Sequence, residues 1–332
     1  MLNNKDKVDF ILSIDTEEEW DWSGTFPTRD FRLDNIRLIP ELQEMCNSLG
    51  VKTTYFVDHA VADNADSVAL IRPYLEQGQC EIGAHLHPWC NPPIDEEINE
   101  KNSHVVNLDI RLVEKKLSEL TDALQRAFTV RPTAFRTGRW GIDGPILKLL
   151  ADYGYTVDSS VYPFYSNEFF TCQGASLNPY WPSFEDSLKV DGQQQRILEM
   201  PVTVGFNRAN FELFNRLHEK LSSAPYRWFH PIGLAWHMGI FKKIYLCPEL
   251  SSTEDMKSLI DKSLVRGQRV FHMYLHSSSL LSGATGFMDS KDAFNDIAIR
   301  ITNIVKYLTS RVEVNFCTIT ESANRYMAQD GQ

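Results

Sequence analysis

Short apolar runs alternate with amphipathic helical patterns along this chain, and the apolar runs end in charged or polar residues. The first is "VDFILSID", where Phe10, Ile11, Leu12 and Ile14 have the character of a buried strand; Asp15, Glu17, Glu18 and Glu19 follow at once. A helical pattern, "NIRLIPELQEMCNSLG", comes next and stops at Gly50. "VKTTYFVD" is a strand, 66–77 a helix before Gly78, and "CEIGAHLH" a third strand. "NLDIRLVEKKLSELTDALQRAF" has apolar residues at helical spacing and an Asn at its N-cap. "TAFRTGR" is a strand, and "DGPILKLLADYG" a helix capped by Asp143, with Pro145 in its first turn and Gly154 past its end. "TVDSS", "ILEMPVT", "RVFHMYLH" and "VEVNFCTI" complete the strands, with a late helix over 289–309. Such βα repetition predicts a parallel sheet, open or closed into a barrel. In such folds chemistry gathers at the C-terminal ends of strands, so Asp15 and Glu17 would face a shared mouth.

Two stretches break the rhythm. Residues 165–195, rich in Asn, Pro, Ser and Gln, read as a long loop. Residues 205–250 are helical and aromatic-rich, and read as an insertion over the sheet. Within them "WFHPIGLAWHMGIFKK" would suit an interfacial membrane element, although an ordinary packed helical pair is the plainer reading.

A length of 332 residues, 43% hydrophobic, allows one large or two ordinary domains. The net charge of −11 argues against binding nucleic acid or an anionic membrane through bulk charge. No apolar run is long enough to span a bilayer. The polar start "MLNNKDKVDF" shows no signal core and reads as cytoplasmic. The six scattered cysteines, without a CxxC pair, read as reduced core thiols rather than disulfides or a zinc knuckle.

Other strand ends carry chemistry too. In "GAHLHPW", His85 and His87 are two apart on an extended segment, so both leave the same face. With a carboxylate from a neighbouring strand end they form a chelate that leaves a metal partly open, as a catalytic zinc needs. "FRTGRWG" supplies Arg136 and Arg139, either ordinary surface ion-pair partners or guanidinium forks for a carboxylate. "VDSS" gives Asp158. "VFHMYLHSS" gives His272, within an apolar run and better read as core, and His276, at the strand exit. No Walker A, GxGxxG or GxSxG pattern is present. Carboxylates, histidines and an arginine at successive strand ends suit metal-assisted hydrolysis.

In this order, "SIDTEE", "EIGAHLHP", "FRTGRWG", "YTVDSS" and "MYLHSS" resemble the motifs of the polysaccharide deacetylase family, the chitooligosaccharide-deacetylase type also called carbohydrate esterase family four. The resemblance runs from about residue 8 to about residue 310, outside the insertion. It implies an α/β fold, a distorted (β/α) barrel of about seven strands, as a single domain over 1–332 with the 205–250 segment inserted. It also implies a divalent metal, commonly zinc. Carried over by position, Asp15 resembles the general base and Arg136 the arginine that steadies it. Glu17 and His85 resemble metal ligands. The family's second metal histidine stands four residues after the first; that position is Trp89 here, and His87 takes its place. Asp158 resembles the acid that orients the catalytic histidine, and His276 that histidine. Trp20, Trp22, Trp89 and Trp140, with Arg139, lie near the same strand ends, where aromatic faces would stack on a sugar or pack the barrel mouth.

The function so implied is metal-dependent removal of an acetyl group from an N-acetylated sugar in glycoconjugate or polysaccharide biosynthesis, with a nucleotide- or lipid-linked sugar as candidate substrate. Two other readings stand beside it: a catalytically inactive carbohydrate-binding barrel, and an O-deacetylase or N-deformylase using the same site. Glu18 and Glu19 read as a solvated rim. Oligomeric state has no signal in the sequence.

Overall fold

The computed structural model describes residues 7–330 apart from 21, 23, 25, 224–239 and 289. Its strands are β1 (Lys7–Thr16), β2 (Thr53–Val57), β3 (Cys80–Leu86), β4 (Ala134–Thr137), β5 (Val157–Asp158), β6 (Leu198–Glu199), β7 (Val204–Phe206), β8 (Lys243–Tyr245), β9 (Val270–His276) and β10 (Glu313–Phe316). The helices are α1 (Ile39–Ser48), α2 (His59–Ala62), α3 (Ala65–Glu76), α4 (Ile110–Phe128), α5 (Gly144–Asp152), α6 (Phe211–Ser222), α7 (Thr253–Val265), α8 (Ala293–Arg311) and α9 (Ile319–Asp330).

All pairings of the main sheet are parallel, and the strands follow one another in the order β9-β1-β2-β3-β4-β5-β6. β1 is the seam. One of its edges pairs with β9 over Asp9–Asp15. The other pairs with β10 over Lys7–Phe10 and then with β2 from Leu12 onward, so β10 fills the foot of the gap between β1 and β2. On the far side the Thr203 N–H donates to the His272 carbonyl (3.0 Å), Leu246 N–H to Thr203 (2.9 Å) and Tyr274 N–H to Leu246 (3.2 Å). These bonds draw the sheet round toward β9 and give the expected distorted (β/α) barrel.

Period-two alternation sorts β1 into two faces. Phe10, Leu12 and Ile14 pack outward against the helices, in the main core. Ile11 packs inside with Phe56, Ala134, Val157, Leu198 and Met200, closed from below by Ile319 and Ala323 of α9. Climbing the inner face, apolar Ile11 gives way to Ser13, then Asp15. β4 steps in parallel from Ala134 to Arg136, and β9 from Val270 to His272 to His276. Asp15 and the glutamates after it therefore crown a packed interior whose polarity rises toward the mouth.

Asp143 caps α5 by accepting from the Ile146 N–H, as expected. α4 is capped by Asp109, which accepts from Arg111 N–H, rather than by Asn107, which closes a short 3-10 turn. The stretch between β5 and β6 carries only isolated bridges. The 205–250 segment begins and ends as an antiparallel ribbon, β7 against β8, with α6 between. Most of "WFHPIGLAWHMGIFKK" lies outside the described residues. All six cysteines are buried and free. Among the described residues no helix is long and apolar enough to cross a membrane.

Candidate active site

Glu17, His85 and His87 converge as their strand positions require. Glu17 Oε2 lies 3.5 Å from His85 Nε2 and 3.2 Å from His87 Nε2. One donor atom from each falls within 4.8 Å of the others, and all three side chains are buried. Each ring is held from behind. His85 Nδ1–H donates to the Arg136 carbonyl (3.2 Å), and His87 Nδ1–H to Glu18 Oε2 (3.1 Å). With Nδ1 so engaged, the Nε2 atoms of both rings face the centre. Ser278 Oγ donates to Glu17 Oε1 (3.2 Å).

Burial works against the Glu17 charge, but hydrogen bonds from His85 and His87 override it and hold the carboxyl well below its usual range. Burial lowers the pKa of His85. Burial would lower His87 too, but Glu18 and Glu17 on either side raise it well above its ordinary value. Two imidazoles and a carboxylate with open positions are a donor set for a divalent metal, and they fit a catalytic rather than a closed structural site.

Gly138 makes room for this. A Cβ there would meet the His87 ring at 2.1 Å and the Leu86 carbonyl at 2.8 Å. The turn continues through Arg139 and Trp140 at φ 63° and 62°, left-handed backbone that costs a non-glycine residue about 1 kcal/mol or more. It lays Trp140 flat on Tyr162, with 4.7 Å between centroids, and over the Arg136 guanidinium at 5.0 Å.

Arg136 is fully buried and every arm is used. It hydrogen-bonds Asp15 through Nη1, Ser13 and Ser159 hydroxyls through Nη2 (3.0 Å each) and the Ser159 carbonyl through Nε (3.0 Å), and sits 4.3 Å from the Phe56 ring centroid. His272 lies in this same layer, its Nε2 2.8 Å from Ser13 Oγ, and is core as expected. Asp15 Oδ2 lies 3.8 Å from His276 Nε2.

The carboxylate on the other nitrogen of His276 is Glu249, not Asp158. Glu249 Oε1 accepts from Nδ1 at 2.6 Å. Burial disfavours the imidazolium, yet Glu249, with Glu17 and Asp15 nearby, raises the His276 pKa to about 9. Asp158 instead accepts from Ser160 Oγ (2.7 Å) beside Glu199, and burial lifts both carboxyls. The reason is topological: the bonds Leu246–Thr203 and Tyr274–Leu246 bring the exit of β8 alongside β9, so the acid after β8 reaches His276 first.

Three further expectations are corrected. Trp89 is buried beneath His87, stacked on its ring at 4.2 Å, and donates to Glu18 Oε1 at 2.5 Å; it positions Glu18 and is no substrate platform. Glu18 is fully buried, not on a solvated rim. Glu19 is inward too, accepting from the Asn35 N–H (2.9 Å) and pairing with Arg32 (3.1 Å). Behind His87, the Glu18 N–H donates to Asp58 Oδ2 (3.1 Å), and Cys90 Sγ lies 3.8 Å from both carboxylates. Burial and the neighbouring Glu18 raise Asp58 well above its ordinary pKa, while His87 and Asp58 lower that of Glu18 against its burial.

A cavity of about 350 Å³ opens over the centre, lined by Asp15, Glu17, His85, His87 and His276 and walled by Trp20, Trp22, Trp140, Tyr162, Tyr245 and Phe287. Arg139 also reaches it. Glu249, Glu18 and Asp58 are carboxylates of this site that sequence reasoning missed. "YLCPEL" carried a signal, an acid just past an apolar run, but lay within the presumed insertion.

No family model and no curated protein matches the sequence. Solved structures match its fold. One, from Mycobacterium smegmatis and assigned to the polysaccharide deacetylases, is 14% identical over 99% of this chain and 93% of its own, with a TM-score of 0.55. Another, from Parabacteroides distasonis and assigned as a glycoside hydrolase or deacetylase, is 12% identical over 98% of this chain and 72% of its own, with a TM-score of 0.60. The fold of this chain is that of the polysaccharide deacetylases.

Proposed function

We propose that this protein is a metal-dependent hydrolase that removes the acetyl group from an N-acetylated sugar. The observation that carries the reading is the meeting, in one aromatic-walled cavity, of a carboxylate pinned by a buried arginine, a two-histidine-one-carboxylate donor set and a carboxylate-backed histidine. Glu17, His85 and His87 would hold the metal, zinc by its preference for such donors. When bound, it polarises the acyl carbonyl and acidifies water.

Asp15 accepts the proton of the attacking water, since Arg136 fixes its orientation and its other oxygen faces the cavity. His276 stays protonated to about pH 9 and donates from Nε2 to the departing nitrogen, with Glu249 holding the ring by Nδ1. The same groups would serve an O-acetyl ester or an N-formyl group. A cytoplasmic setting and a biosynthetic intermediate, nucleotide- or lipid-linked, as substrate belong to the same proposal.

The test is acetate release by the purified protein with zinc from a panel of N-acetylated sugar nucleotides and lipid-linked sugars. Turnover of at least one member is expected. Release from none of them, by a protein that still binds sugars, would instead favour a binding barrel.

Glu18 acts on the same site from behind. Glu18→Gln keeps the acceptor for Trp89 but removes the charge from His87, and zinc affinity should fall about 10- to 100-fold in a chelator competition. An unchanged affinity would mean that Glu18 does no more than pack.

A further inference from the structure

His104 lies in the loop between β3 and α4 and is 1% exposed, yet neither ring nitrogen has a hydrogen-bond partner. The Arg139 backbone lies close enough to act on the ring electrostatically, without a hydrogen bond to either nitrogen. Burying a polar ring without partners is costly, and the other histidines of the site avoid it: His85, His87 and His276 each bind an acceptor through Nδ1. His104 lines the cavity described above, its ring stacked on Phe169 with centroids 4.7 Å apart. The indole N–H groups of Trp20 and Trp22, on the same cavity, are likewise buried and unpartnered.

We propose that His104 is a specificity-determining residue whose ring nitrogens hydrogen-bond a hydroxyl of the sugar substrate, in a subsite built from the loops after β3, β4 and β5. The proposal rests on the hydrolase reading above. An uncharged ring suits the task. Burial and the nearby Arg139 charge push His104 down to about 4, so at neutral pH one nitrogen donates and the other accepts, as a hydroxyl also does. An anion is a poorer fit, because the Arg139 guanidinium is already committed to Glu100 (2.8 Å) and Ser103 Oγ (2.7 Å). The subsite is rigid. Arg139 holds left-handed backbone, Phe170 blocks any Cβ at Gly141, and Asn167 Oδ1 ties down the Phe169 and Phe170 N–H groups (2.9 Å each).

The experiment compares wild type with His104→Phe, which keeps the ring and its stack on Phe169, and with His104→Gln, which restores a donor and an acceptor. On whichever panel sugar the wild type deacetylates, His104→Phe should raise KM about tenfold, the loss of roughly one hydrogen bond, with kcat within about threefold; His104→Gln should recover part of the loss. Because the Phe variant removes an unsatisfied polar group, its Tm should equal the wild-type value or exceed it by about 2 °C. A Tm that falls by about 5 °C or more, with kcat and KM both impaired in the Gln variant as well, would make His104 a structural residue and overturn the proposal. So would unchanged KM in a folded Phe variant. If the wild type itself releases acetate from no sugar, the hydrolase reading fails and the subsite falls with it; turnover by the wild type with His104→Phe unaltered sinks the subsite alone.

Discussion

Glu249→Gln should move the alkaline limb of the pH–rate profile down by about 2.5 units and cut acetate release at pH 8 about 30-fold. In the proposed reaction His276 must be protonated to donate to the leaving nitrogen. Its pKa of about 9 keeps that proton in place at pH 8. Without the Glu249 charge, burial dominates and the pKa drops to its ordinary value of 6.5 or below, so only a few per cent of rings remain charged at pH 8. The sign is fixed: activity is lost from the high-pH side, and the variant recovers as pH falls. His276→Ala should lower kcat about 10²- to 10⁴-fold below pH 9. Asp158→Asn should leave the limb where it is, because Asp158 is occupied with Ser160 and Glu199. A limb that stays near 9 in Glu249→Gln but moves in Asp158→Asn would reverse the assignment.

Arg136→Ala should destabilise the fold by about 3–5 kcal/mol, read as a lower denaturant midpoint. The guanidinium is fully buried, and its removal strands Asp15, 2% exposed, without a counter-ion. It also strips donors from Ser13 and Ser159 and leaves a cavity against Phe56 and Trp140. Arg136→Lys should recover little, since one ammonium cannot span four acceptors on Asp15, Ser13 and Ser159. Adding Asp15→Asn to Arg136→Ala should cost less than the sum of the single changes, because the stranded charge is gone. A loss below about 1 kcal/mol for Arg136→Ala would show that Asp15 is not held as an ion by this pair.

The barrel was legible because its signals are local. Alternation on β1 shows in Ile11, Ser13 and Asp15, and the HxH spacing of His85 and His87 survives folding because two residues of extended chain have only one geometry. What stayed hidden depends on which distant segments are neighbours. Nothing in "YLCPEL" says that Glu249 will meet His276, because the β8 exit is brought to β9 by single backbone bonds across the barrel wall. Glu18 looked like solvent-facing acid because the run "TEEE" gives no sign that Trp89, seventy-one positions on, closes over it. Asp158 was misassigned for the converse reason: its motif sits at the right point in the chain, but β5 ends beside Glu199.

Crystals grown with zinc, with data collected on both sides of its absorption edge, test the central claim most directly. An anomalous peak should appear bonded to Glu17, His85 and His87, at one ion per chain, and vanish in His85→Ala. A site without a peak, or an ion held instead behind His87 by Glu18, Asp58 and Cys90, would contradict it.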